Sequence, residues 1–219
     1  MMNLVQRSVQ DLAVNVPGAS ELFETYQINY KTEKKQPLQD AVLNGKLKLF
    51  EVTERLEFLL RTGPDSGYER WRQVSANELI AHIIENYHEK HRVQFSDAIR
   101  LTQKVATAHD HHANFPHELE AQLTRMQFDL EEHMMKEEVI LFPMMEKGIY
   151  PSGPISVMEA EHVDHAKSLE YLRELTNEFA PPADASNSWA KLYTDLQALY
   201  FDLKAHIHLE NDILFQPPS

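Results

Sequence analysis

The residues best suited to chemistry occur in a repeated spacing. HMMKEEVILFP (His133–Pro143) and HIHLENDILFQP (His206–Pro217) both read H-x3-E, a short gap, I/L-L-F and a proline, about seventy residues apart. A histidine and a glutamate four positions apart lie on one face of a helix, one turn from each other. Imidazole nitrogen and carboxylate oxygen are donors for iron, zinc or manganese. The chain has no cysteine, so thiolate metal sites, disulfides and a cysteine nucleophile are excluded, while 12 histidines leave imidazole–carboxylate chemistry open.

Helices must position these residues. Only 6 glycines in 219 residues disfavour a sheet-and-turn architecture, and 42% apolar residues suffice for a core. Residues 1–66 read as a small helical N-terminal domain. Pro17 opens one short helix, Gln36–Asn44 forms another with Gly45 as its cap, and Leu47–Arg61 forms a third. GPDSG (Gly63–Gly67) reads as the linker. Residues 67–219 carry four long helical patterns, at about 77–107, 117–142, 155–179 and 188–215. The short breaks between them predict an antiparallel up-down-up-down four-helix bundle, so the fold class is all-α.

The inner seams of that bundle contain the chemistry. The second helix reads Leu119, Leu123, Met126, Leu130, His133, Glu137, Ile140, and the fourth Leu192, Leu196, Leu199, Leu203, His206, Glu210, Ile213. In both, His and Glu stand where leucine belongs. The first helix reads Ala81, Ile84, His88, His91, Phe95, Ala98, and the third Ile155, Met158, His162, His165, Leu169, Leu172. Counted from helix ends at ~1.5 Å per residue, His88, His133, His162 and His206 fall within a band of roughly 6 Å. Two buried, facing carboxylates require positive charge, and no lysine or arginine stands on these seams near that layer. Six side-chain ligands exceed one tetrahedral zinc but fit two metals, each with two histidines, bridged by Glu137 and Glu210. Iron suits such a bundle site best, with manganese as the alternative. Spacing alone also admits His91 and His165 as ligands, but support of the ligand rings from behind, or core packing, is the expectation for both. Asp129 and Glu161 border the layer, either as acceptors for ligand N–H groups or relay carboxylates, or as ordinary helix carboxylates.

At these residues the chain resembles the hemerythrin-like bundle proteins, and more closely the repair-of-iron-centres family of di-iron proteins. YHEKH (Tyr87–His91), HMMKEEVILFPM (His133–Met144), GPISVMEAEH (Gly153–His162) and HIHLEND (His206–Asp212) carry the resemblance, which covers nearly the whole chain. It implies two iron ions held by His88, His133, Glu137, His162, His206 and Glu210, with an oxo or hydroxo bridge. It does not require His91 or His165. It implies repair of iron–sulfur clusters damaged by oxidative or nitrosative stress, and a centre reactive towards nitric oxide. The partners would be a diatomic or peroxide ligand and damaged iron–sulfur proteins or a cluster scaffold, with a homodimer through the N-terminal domain. The chain departs from the family in one respect. Relatives carry two adjacent cysteines where this chain reads NYKTEK (Asn29–Lys34), so a thiol route through that domain has no residue to run through. A dioxygen carrier or sensor, and an iron donor that turns over nothing, are the alternative readings.

A net charge of −13 repels phosphate backbones, so nucleic acid is not an expected partner. No apolar run approaches the ~18 residues of a membrane span. The first residues lack the apolar core of a signal peptide, and the expected location is the cytoplasm. The histidines at 109, 111, 112 and 117 read as a solvated loop that binds metal only adventitiously. No Walker, G-x-S-x-G or Rossmann motif is present.

Overall fold

The computed structural model describes residues 4–16, 18–47, 49–62 and 71–217. The expected helix-opening Pro17 and the GPDSG linker lie outside them. The chain divides into two compact units, residues 1–73 and 74–219.

The first unit packs α1 (Val9–Asn15), α2 (Ala19–Thr25), α3 (Leu38–Asn44) and α4 (Leu49–Thr62). Ser8 caps α1 through the Asp11 N–H. Leu12, Phe23, Leu38, Val42 and Leu56 form its buried core. α3 ends at Asn44 with Gly45 as its cap, as expected, but Gly45 keeps a right-handed φ of −77° and the left-handed residue is the next one, Lys46 at φ 54°.

The second unit is the bundle. Ser75 and Glu78 form a capping box that starts α5 (Ala76–Ile83). A π-helical turn, Ile84–His88, joins it to α6 (Glu89–Ala108). Then come α7 (Leu119–Lys136), a π turn Glu137–Leu141, α8 (Phe142–Glu146), α9 (Ser152–Leu175) and α10 (Asn187–Leu209), which ends in a third π turn, Glu210–Leu214. Around the bundle α6 lies against α7 and α10, and α9 closes the ring against the same two. The core is Leu119, Leu123, Leu130, Leu169, Leu172, Leu192, Leu196 and Leu203, with Trp189 and Tyr200 at full burial. α9 stops four residues short of the expected Phe179, because Asn177, Glu178 and Phe179 all adopt left-handed backbone that no helix can continue.

The π turns correct the seams. Each adds one residue to a turn: the N–H of Glu89 bonds the carbonyl of Ile84, Phe142 that of Glu137, and Phe215 that of Glu210. What lies beyond the turn is rotated by that residue. In the first helix Ile80 and Ile83 are buried and Ala81 is exposed, so the seam runs Ile80, Ile83, then His88. In the second helix Leu141 replaces Ile140, which is 53% exposed, and in the fourth Leu214 replaces Ile213. Pro143 has no N–H to give; following the π turn, it occupies a first-turn position and α8 proceeds. Leu141→Ala should therefore cost about 2–5 kcal/mol, as a core truncation, whereas Ile140→Gln should stay within about 0.5 kcal/mol. Denaturant unfolding of the two variants checks the order, which an uninterrupted helix would reverse.

Candidate metal centre

Six side chains converge in the middle of the bundle. His88 ends the first π turn. His133 lies in the last turn of α7 and His206 in the last turn of α10, each followed four residues later by the glutamate that opens the next π turn. His162 comes from α9. None of the six is more than 2% exposed. They form two groups that share both carboxylates: His88, His206, Glu137 and Glu210, and His133, His162, Glu137 and Glu210. Within each group the four donor atoms lie within 4.8 Å of one another.

The carboxylates straddle the two groups. Glu137 sets Oε2 3.5 Å from His88 Nε2 and Oε1 3.4 Å from His133 Nε2. Glu210 sets Oε1 3.0 Å from His206 Nε2 and Oε2 3.1 Å from His162 Nε2. The rings face one another nitrogen to nitrogen, His88 to His206 at 3.2 Å and His133 to His162 at 3.0 Å.

Three of the rings have their outer nitrogen engaged. The Nδ1–H of His88 donates to Glu138 Oε1 at 2.8 Å, that of His133 to Glu161 Oε2 at 2.9 Å, and that of His162 to Asn211 Oδ1 at 2.8 Å. A neutral imidazole that gives its proton outward keeps its Nε2 lone pair inward. With both rings neutral, His133 and His162 present two lone pairs to each other at 3.0 Å, which is repulsive unless a proton or a metal ion stands between them. Both oxygens of Glu137 and Oε2 of Glu210 also lack an aligned hydrogen-bond donor at full burial. Orphaned carboxylate oxygens and converging lone pairs are what a pair of cations satisfies, so the donor set fits a two-metal centre.

Electrostatics point the same way. Burial, reinforced by the charge of Glu210, pushes Glu137 up to about 7. Burial opposes charge on His133, but Glu137 and Glu210 outweigh it and raise that ring to about 9. Without a cation the cluster therefore holds protons where metal would otherwise bring positive charge. Outside the ring, Arg92 holds Glu138 at 2.9 Å and Lys136 holds Glu161 at 2.6 Å, each steadying an acceptor rather than a bridging carboxylate.

His91 and His165 are buried beside the centre, in neither group of four. His91 packs against His206 with ring centroids 5.3 Å apart and meets Gln94 through Nδ1 at 3.0 Å. His165 meets His133 edge-on at 4.9 Å. Burial drives both down to about 3, so both are neutral. Of the two bordering carboxylates, Glu161 holds a ligand-position ring. Asp129 does not: it is exposed and lines a cleft of about 280 Å³ with Glu161, Asp164 and His165, because its position on α7 points away from the seam. Glu138 and Asn211 are the acceptors for two of the ligand-position rings, and the sequence reading singles out neither. Their signal was present, since each directly follows the glutamate of an H-x3-E copy.

The loop histidines divide. His111 and His117 are exposed. His109 bonds Ser186 at 2.9 Å and His112 meets Asp184 at 3.2 Å, and both rings pack on Trp189. The loop is a cover for that indole, not a wholly solvated tract.

The family model of the hemerythrin HHE cation binding domain matches residues 79–216, the bundle described above. Over 216 residues the chain is 39% identical to the iron-sulfur cluster repair protein YtfE of Musicola paradisiaca, covering 98% of this chain and 96% of the relative. It is 38% identical to the probable iron-sulfur cluster repair protein of Haemophilus influenzae, covering 98% and 97%. The YtfE protein of Dickeya chrysanthemi is 39% identical over the same shares. With its six convergent donors and this similarity along its full length, the chain belongs to the hemerythrin-like iron–sulfur cluster repair family.

Proposed function

We propose that this chain is a cytoplasmic di-iron protein that takes part in repairing iron–sulfur clusters damaged by oxidative or nitrosative stress. The observation that carries the reading is the pair of buried His2Glu2 groups sharing Glu137 and Glu210. His88 and His206 would hold one iron and His133 and His162 the other, with the two glutamates spanning both. Bound there, an iron pair supplies one-electron redox chemistry and a coordination position open to a small molecule such as nitric oxide or peroxide. The chain itself supplies orientation and exclusion of water. Glu138, Glu161 and Asn211 fix three rings with their lone pairs inward. Phe142 stacks on His88 and Phe215 on His162, which keeps the surroundings apolar. With no cysteine, the chain cannot hold an iron–sulfur cluster through thiolates of its own, so the damaged cluster belongs to a partner. No described helix is long and apolar enough to cross a membrane.

The test uses a [4Fe–4S] dehydratase inactivated with nitric oxide. The iron-loaded chain, with a reductant, is expected to restore its activity faster than the same concentration of free ferrous iron. Equal recovery with free iron would overturn the repair reading.

A further inference from the structure

The four rings of the centre are not held alike. His88, His133 and His162 each give their outer N–H to an acceptor, whereas His206 Nδ1 is buried without a partner. Its ring is kept in place by stacking on Tyr87, with centroids 5.5 Å apart and planes 22° apart, and by the neighbouring His91. The carboxylate one turn earlier on α10, Asp202, is engaged by Gln94 at 2.7 Å and Lys90 at 2.6 Å.

An imidazole whose outer N–H meets an acceptor is a stronger metal donor and is fixed in rotation, and loss of such a partner typically lowers metal affinity ~10–100-fold. Both rings of the His133/His162 position are anchored in this way, but only one ring of the His88/His206 position. Glu137 and Glu210 serve both positions, so they do not set them apart.

We infer that the two metal positions are unequal, and that the ion held by His88 and His206 is released first. This rests on the two-metal reading and deepens it: iron given to another protein comes from that position, leaving an ion on His133, His162, Glu137 and Glu210. Asn211 and Glu138 are the positioning residues that set the difference, Asn211 by slowing the second ion and Glu138 by restraining the first.

The full chain, loaded anaerobically with ferrous iron, is mixed with excess chromophoric ferrous chelator and release is followed in time. Two phases of one ion each are expected, separated by at least ~10-fold in rate. Asn211→Ala should accelerate only the slow phase and narrow the gap. Glu138→Ala should accelerate only the fast phase and widen it. Because the variants move opposite phases, a general loss of folding cannot imitate both. Two ions leaving in a single phase, or Asn211→Ala accelerating the fast phase, would overturn the inference and leave the two-metal reading standing. A wild-type chain that takes up fewer than two ions would remove both.

Discussion

Glu137→Ala is expected to deplete both metal positions together, lowering retained metal by well over ~10-fold, since loss of even an outer hydrogen-bond partner costs 10–100-fold. The reason is geometric. One oxygen of Glu137 faces His88 and the other faces His133, so a single substitution takes a donor from each group. His133→Ala removes a donor from one group only, and its primary loss is at the His133/His162 position. Helical content should survive in both variants. The cavity left by Glu137→Ala is offset by removing a carboxylate that burial penalises. Elemental analysis after desalting, with far-ultraviolet circular dichroism on the same samples, gives both readouts. Unchanged metal stoichiometry in the two variants would refute the ligand assignment.

The second large effect is on stability. Metal that binds the folded bundle and not the unfolded chain adds about 4 kcal/mol when free metal exceeds its dissociation constant ~1,000-fold. For a bundle of this size that corresponds to roughly 8–16 °C in Tm. Stripping the metal with a strong chelator should lower the melting temperature by that order, and reloading should restore it. The same treatment of Glu137→Ala should change little, since that variant has little metal to lose. A wild-type Tm that ignores the chelator would mean that the buried histidines and glutamates are stable as a hydrogen-bonded core.

How far this site was legible follows from which features leave a mark at constant period. His133, Glu137, His206 and Glu210 replace leucines in seams that are otherwise apolar, and their counterparts His88 and His162 fall at the same height. The bundle was legible for the same reason, because its helices are long and its breaks are rich in proline and glycine. The π turns were not legible, since an added residue keeps the composition unchanged and only shifts the phase. The shift surfaces as Ile140 and Ile213 leaving the seam in favour of Leu141 and Leu214. Glu138 and Asn211 were missed because each serves a ring on another helix, and that pairing depends on the rotation of both. Spacing left Asp129 open between an acceptor and an ordinary helix carboxylate, because it does not show which way that side of the helix faces; the residue is exposed. His109 and His112 read as solvated loop residues because nothing local announces the Trp189 ring they cover.

The central claim is that the two groups of four hold two metal ions, and that the ions are iron. Its most direct test is the metal content of untagged protein, purified anaerobically and loaded with ferrous iron, since an affinity tag would add histidines to those at 109–117. The account predicts two irons per chain, retained through gel filtration and lost in Glu137→Ala. A chain that retains no metal after loading, or holds a single ion that survives Glu137→Ala, would contradict it.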